Sequence, residues 1–427
     1  MDGREIENGT LLVKGDRIVA LGVGVEVPLL AQRIDSKGAT ITPGLIDVFS
    51  ALGRSGSPQG TASPTRRAED AFDQYDTADL IEALRNGVTT VYVSPGGPIG
   101  VCGTGAVVRL GQDGPERFGR VLKSEAALCI DLGSAGKPIA RLKTLQAVEK
   151  QFRGALEYRR SLEKYEDDLD EYEKKLKEQA GKKESAKPKD KPTPPKPAAA
   201  AEEPKKEPKK EPEGKPGEKK EEEAKPKKPP RPPRRPTSEI VLRAIDREIP
   251  VRILAYRSDD ILNALELAEE FSFDLILEGA TEAHLVAEQI ADAKVPVVLG
   301  RMDHSGVRRN DIFRRVAWDQ GATLGQAGVS WTIGSGTIAG RARFLAQSAQ
   351  LAAAHNRIDD PLKLVTADAA ETLQVARHIG RLRPGMLADF VVWSGEPLDP
   401  TSQVLRVYVG GALVYEAADD IEKGNDE

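Results

Sequence analysis

Apolar runs in this chain switch repeatedly between the two-residue period of strands and the longer period of helices, and that alternation limits the folds open to it. Thr77 to Asn86 carries Leu80, Ile81 and Leu84 on one helical face, with Gly87 as its C-terminal stop. Val88–Val93 follows as a β-branched strand. Further on, the spacing predicts strands at Pro250–Leu254, Asp274–Glu278, Val295–Leu299 and Ser330–Ile333. Between and after them it predicts helices at Asp259–Phe271, Glu282–Ala293, Asp311–Gln320 and Arg341–His355. Such alternation builds βα units around a parallel sheet. At 427 residues the leading α/β architecture is a TIM-like (β/α)8 barrel. A doubly wound open sheet ranks second, because no Gly-rich dinucleotide turn follows the first strand.

Both ends of the chain read differently. Leu11-Leu12-Val13 and Arg17–Leu21 flank a Lys14-Gly15-Asp16 turn, and Thr40-Ile41-Thr42 leads into the first barrel strand. Ala388–Trp393, Val404–Val409 and Leu413–Tyr415 are late strands, the last two joined at Gly410-Gly411. Neither set buries a face alone, so the two are expected to form one small β-sandwich from both chain ends. The middle is different in kind: residues 146–180 form a charged helical arm, and residues 181–236 hold about half of the 29 prolines among Lys, Glu and Ala. With few large apolar residues, that stretch cannot offset an ordering cost of about 1–2 kcal/mol per residue, so it is expected to be a disordered insertion. The expected divisions are therefore 1–42 and 383–418 (β-sandwich), 43–145 and 237–382 (barrel), 146–180 (arm), 181–236 (insertion) and 419–427 (acidic tail).

Charge and cysteine content exclude several classes. A net charge of −5 does not mark a nucleic-acid binder, although the insertion itself is locally basic. Cys102 and Cys129 make no Cys-x-x-Cys pair and read as small buried hydrophobes. No apolar run approaches the roughly 18 residues of a membrane span. The first residues lack an apolar signal core, so the location stays open: cytoplasmic is the expectation for the sequence as written, exported if the true start lies upstream. No Gly-x-Ser-x-Gly elbow or phosphate-binding P-loop is present. Gly96-Gly97 with Gly103-Thr104-Gly105 reads as a tight loop, with an anion cradle as the alternative.

Pro43-Gly44-Leu45-Ile46-Asp47 resembles the opening of the first barrel strand in the amidohydrolase superfamily, in its imidazolonepropionase-like branch. Gly9–Gly22, Gly87–Val91, Ala255–Ile261 and Ile379–Trp393 are similar to further blocks of that family, in the same order. The resemblance implies one or two divalent metals, usually zinc, held by histidines at the strand ends. These activate a water that hydrolyses C–N bonds. In the family, the Asp is followed by x-His-x-His; here those two positions are Phe49 and Ala51. The positions matching the strand-five histidine are Leu254 and Tyr256, that of strand six is Gly279, and that of the strand-eight Asp is Gly336. No metal and no catalytic base are therefore expected. Asp47, Tyr256, Arg257, Glu278, Asp303, His304 and Ser335 are the candidates for holding a small polar ligand at the barrel mouth. His284, His355 and His378 are expected to be surface or packing histidines. The function expected is binding or assembly, as a homo-oligomer or with an active relative, without membrane or nucleic acid. The alternative is an active hydrolase with an unorthodox metal site.

Overall fold

The computed structural model describes residues 5–54, 62–97, 99–112, 117–133, 137–185, 227–300, 315–338 and 340–417. The chain divides into two compact units, residues 1–156 with 235–427, and residues 157–234. Strands β1 (Thr10–Lys14), β2 (Arg17–Gly22) and β3 (Thr40–Pro43) precede β4 (Leu45–Ser50), β5 (Val88–Val93), β6 (Gly100–Gln112) and β7 (Phe118–Asp131). Then come β8 (Val251–Ala255), β9 (Leu275–Gly279), β10 (Val297–Leu299), β11 (Trp331–Ile333), β12 (Phe390–Trp393), β13 (Val404–Val409) and β14 (Ala412–Glu416). The α-helices are α1 (Thr77–Arg85), α2 (Pro138–Ser185), α3 (Pro236–Ile245), α4 (Ser258–Phe271), α5 (Ala287–Asp292), α6 (Gln320–Gln326), α7 (Leu345–Asn356) and α8 (Ala367–Thr372).

Strands β4 to β11 form one eight-stranded sheet in chain order, a nearly closed TIM-like barrel. All its neighbouring pairs are parallel except those made by β6, which runs against both β5 and β7. The reversal has a local cause. Only residues 94–99 join β5 to β6, whereas a parallel return needs about a dozen residues or more. A long hairpin thus stands where a βα unit was expected. Elsewhere helices return the chain, α4 where the periodicity predicts, whereas residues 315–319 of the predicted helix Asp311–Gln320 are not helical. Helix α4 buries Ile261, Ala264, Leu267 and Phe271 against the outer faces of β8 and β9, where Ile253 and Leu277 are fully buried. Each such large side chain contributes about 1.5–3 kcal/mol by leaving water. Helix α1 stops where expected: Gly87 takes φ +81°, and the Trp393 ring lies 3.0 Å from where its Cβ would stand. Helix α6 begins at Gln320, where the predicted helix ended, and residues 311–314 of that prediction lie outside the described residues. Glycines in α6 weaken its helical signal, but Gly321 leaves room for the Trp331 ring, 2.3 Å from where a Cβ would sit.

The barrel interior is lined by Ile46, Val48, Tyr92, Val107, Ala127, Cys129, Leu254, Ile276 and Val298. Beside it, β3 pairs with β12 in an antiparallel sheet of order β14-β13-β12-β3, and β1–β2 form a separate hairpin. Ile18, Leu382, Ala388, Phe390, Val392 and Tyr408 make the core of this β domain, with the Phe390 and Tyr408 rings stacked at 4.4 Å. Arg109 on β6 reaches it through Asp389, with Nε donating at 2.8 Å. In the second unit, residues 157–185 continue α2 as one helix, with a Lys175–Glu171 pair at 3.4 Å. The expected insertion falls largely on residues 186–226, outside the described residues. Among the described residues, no helix is long and apolar enough to cross a membrane.

Candidate functional site

Parallel barrel strands end on one rim, and sites of this architecture lie there. On that rim, β4 and β11 meet without a strand ladder. The seam is closed by Gly336 N–H donating to Phe49 O at 2.7 Å and by a side-chain clasp. Asp47 is fully buried and accepts hydrogen bonds from Ser335 Oγ at 2.5 Å, Ser335 N at 2.9 Å and Phe49 N at 3.3 Å. Burial pushes the Asp47 carboxyl above its ordinary value, with the Ser335 bonds pulling the other way. Two of the sequence candidates, Asp47 and Ser335, are thus brought together, each engaging the other.

Glu278 lies deeper, on β9, and pairs with Arg252 of β8 at 2.5 Å. Both are almost wholly buried. The same guanidinium donates from Nη2 to Val48 O at 2.7 Å and stands 3.9 Å from the centre of the Tyr92 ring. Tyr92 in turn contacts Cys129, O–H to Sγ, at 3.1 Å. Burial pushes the Cys129 thiol up to about 12, so it stays protonated. Arg252 was not among the sequence candidates. Its signal was a lone cation at an inward position in an apolar strand, next to a strand with a lone inward anion.

At the positions the resemblance assigns to metal ligands, only Tyr256 carries a side-chain donor atom, and the space is largely filled. Phe49 is buried, and its backbone and Cβ lie within 2.9 Å of where a Cβ on Gly334 would stand. Ala51 and Leu254 are buried apolar side chains. The Tyr256 ring lies over Gly279, with Cε1 2.7 Å from where a Cβ there would be, and over Gly133. Gly279 also takes φ +76°, disfavouring any side chain. Gly336 takes φ +89°, and among the described residues nothing lies within 4 Å of its Cβ position. These groups do not fit a divalent metal, which wants about three to four N, S or O donors. Among the described residues no three of His, Cys, Asp and Glu cluster as a metal set.

Arg257 is held at the start of α4 by Asp259, Nε to Oδ1 at 3.0 Å. That bond raises the Arg257 pKa. Asp303 and His304 lie outside the described residues. His284 sits in a short 3₁₀ turn after β9, and burial lowers its pKa. His355 packs on Trp318, ring centres 5.1 Å apart. Two residues not foreseen reach the rim from loops: Arg54 donates to Thr337 O at 3.2 Å, and Arg66 to Gly96 O at 3.3 Å. Burial lowers the Arg54 pKa, partly opposed by Cys102. A cleft of about 1370 Å³ opens at the other end of the barrel, among Pro250, Asp274, Pro296, Trp331 and Asp368.

Residues 269–414 match the model of the Amidohydrolase family. An imidazolonepropionase of Alkaliphilus metalliredigens is 32% identical over 120 residues, covering 21% of this chain and 28% of that protein. One from Streptomyces coelicolor is 32% identical over 110 residues, with the same coverage. The match thus spans under a third of these relatives' length. Among solved structures, an amidohydrolase from Thermotoga maritima superposes with a TM-score of 0.70 at 24% identity, covering 95% of both chains. A prolidase complexed with N-methylphosphonate-L-proline superposes at 0.52 and 17% identity, covering 95% and 94%. These superpositions show the fold alone.

Proposed function

We propose that this chain, which belongs to the amidohydrolase superfamily, has lost metal-dependent hydrolysis of C–N bonds and serves as a binding or assembly partner. The observation that carries this reading is the rim itself. Phe49, Ala51, Leu254, Tyr256, Gly279 and Gly336 stand at the positions the resemblance assigns to ligands and base, and none but Tyr256 has a side-chain lone pair. Among the described residues, nothing there offsets the cost of stripping water from a divalent ion, and no free group is placed to take a proton from an attacking water. The polar candidates nearby are engaged with one another: Asp47 with Ser335, and Glu278 with Arg252. Fold does not fix function, and a barrel can be kept as a scaffold.

The test is elemental analysis of protein purified without chelator, with turnover assays on amide, hydantoin and dipeptide panels. Less than one equivalent of Zn²⁺, Mn²⁺ or Fe²⁺ and no chelator-sensitive turnover are expected. One tightly bound divalent ion per chain with chelator-sensitive turnover would overturn the reading and direct attention to Asp47, Glu278, Asp303 and His304 as ligands. For the assembly role, sedimentation is expected to show a homo-oligomer, or pull-downs to recover an active relative. A lone monomer that recovers none would refute that part.

A further inference from the structure

We infer that the barrel rim binds a small molecule through a terminal oxyanion group, gripped by Arg54 and Arg66 against the Gly96-Gly97 turn. This goes beyond the loss of hydrolysis, and its test does not pass through catalysis. Two loops bring the guanidinium groups together. Arg54 follows β4, its backbone bridged to Phe72, and Arg66 lies on a segment that pairs beside β6, where its carbonyl accepts from Thr104 N at 2.7 Å. A Cβ on Gly96 would stand 2.7 Å from Arg54 Nη1, and one on Gly97 would stand 2.3 Å from Arg66 Nη1. Both glycines take positive φ, +58° and +135°, so the turn after β5 is shaped to leave room for two cations side by side.

The charge balance here differs from that around four part-buried arginines that meet carboxylates. Arg109 meets Asp389, Arg141 meets Asp260, Arg243 meets Glu125 and Arg257 meets Asp259. Arg54 and Arg66 have only the backbone carbonyls of Thr337 and Gly96 as acceptors among the described residues. An arginine cannot shed its proton, so a part-buried one without a carboxylate keeps an uncompensated charge. Cys102 adjoins both guanidinium groups electrostatically, but burial pushes its thiol up, so it supplies no counter-charge. A ligand can supply it. Gly336, with no described residue within 4 Å of its Cβ position, adjoins Thr337, whose carbonyl Arg54 holds. Planar guanidinium forks suit oxyanions, with charge-assisted bonds of about 2.7–2.9 Å.

Calorimetric titration of the full chain with inorganic phosphate and with succinate at low ionic strength, against chloride controls, tests this. Saturable binding of at least one anion is expected. Arg54→Gln and Arg66→Gln should each weaken it at least tenfold, and the double variant should abolish it. Phosphate alone binding marks a phosphate ester as the ligand; succinate alone marks a carboxylate. Melting temperatures of the ligand-free variants should equal or exceed the wild type, since an uncompensated charge is removed. If a Gln variant fails to fold, Arg54→Lys and Arg66→Lys keep the charge but lose the fork, and should weaken binding several-fold. No saturable binding of either anion, or unchanged affinity in the double variant, overturns the inference and leaves the metal-loss reading standing.

Discussion

The pair of charges inside the barrel makes a sharp prediction, because its two members can respond differently to losing the other. Arg252 and Glu278 are 1% and 3% exposed, and the guanidinium's other contacts are the Val48 carbonyl and the Tyr92 ring. Glu278→Leu strands a guanidinium that cannot deprotonate. Breaking a buried pair in this way costs about 3–5 kcal/mol, and that loss should not vary between pH 5 and 8. Arg252→Met strands a carboxyl, which can neutralise itself by taking up a proton. The cost of that uptake falls by about 1.4 kcal/mol for each unit by which the pH drops towards the carboxylate range. The loss in Arg252→Met should therefore shrink as pH falls. The double variant, which fills the interior with apolar side chains, should lie within about 1 kcal/mol of the wild type or above it. Urea denaturation of all four proteins at pH 5, 6 and 7.5 measures this, read as midpoint and slope. Single variants that each cost under about 1 kcal/mol, or a pH-independent loss in Arg252→Met, would refute the claim that the pair is a dry, mutually dependent unit.

Further outcomes follow from the seam and the rim. Burial raises the Asp47 carboxyl, so its contribution to stability is fully present below about 3.8 and is lost as pH rises through the folded value. Asp47→Asn should thus flatten the stability profile above pH 4, whereas Asp47→Ala, leaving the buried Ser335 N–H without its acceptor, should cost about 1–3 kcal/mol; denaturant midpoints across pH 3–7 separate the two. Gly279→His should destabilise by about 2 kcal/mol or more, since φ is +76° and the Tyr256 ring stands 2.7 Å from the new Cβ, and a prior Tyr256→Ala should recover the steric part, as thermal melts will report. Phe49→His with Ala51→His should restore neither stoichiometric metal nor turnover, because Gly336 still supplies no carboxylate; elemental analysis and the same hydrolase panels check it.

Much of the barrel was legible because βα units advertise themselves by period: β5, β8, β9, β11 and α4 all fall within a residue or two of their apolar runs. The β6–β7 hairpin was not, and the reason is physical. Gly100, Gly103, Gly105 and Gly111 interrupt β6, and both faces of Val101–Val108 are buried, so the strand shows no alternation of apolar and polar residues. The glycines answer to contacts made elsewhere in the chain. A Cβ on Gly105 would stand 2.1 Å from the Tyr92 hydroxyl, and one on Gly103 2.2 Å from the Arg66 carbonyl. Such close approaches are set by the finished barrel and leave no periodic mark.

The same distinction runs through the site. The proposed substitution at the ligand positions is read from single residues, because the strand-end motif of the resemblance says where each ligand would be. What replaces them is visible only in three dimensions. Asp47 and Ser335 are 288 positions apart yet close the seam together, and Arg252 meets Glu278 one register step along the neighbouring strand. Arg54 and Arg66 are the extreme case. Their guanidinium groups come together on a glycine turn that belongs to neither of their loops, and no pattern within a loop encodes that. The polar groups with local signatures, Asp47 and Glu278, are the ones the fold satisfies internally. Arg54 and Arg66, which meet no carboxylate among the described residues, carry no local signature. An anion that binds this rim would therefore be recognised by residues outside the barrel strands, so variation in the loops after β4 and β5 could change its ligand without disturbing the seam or the interior pair.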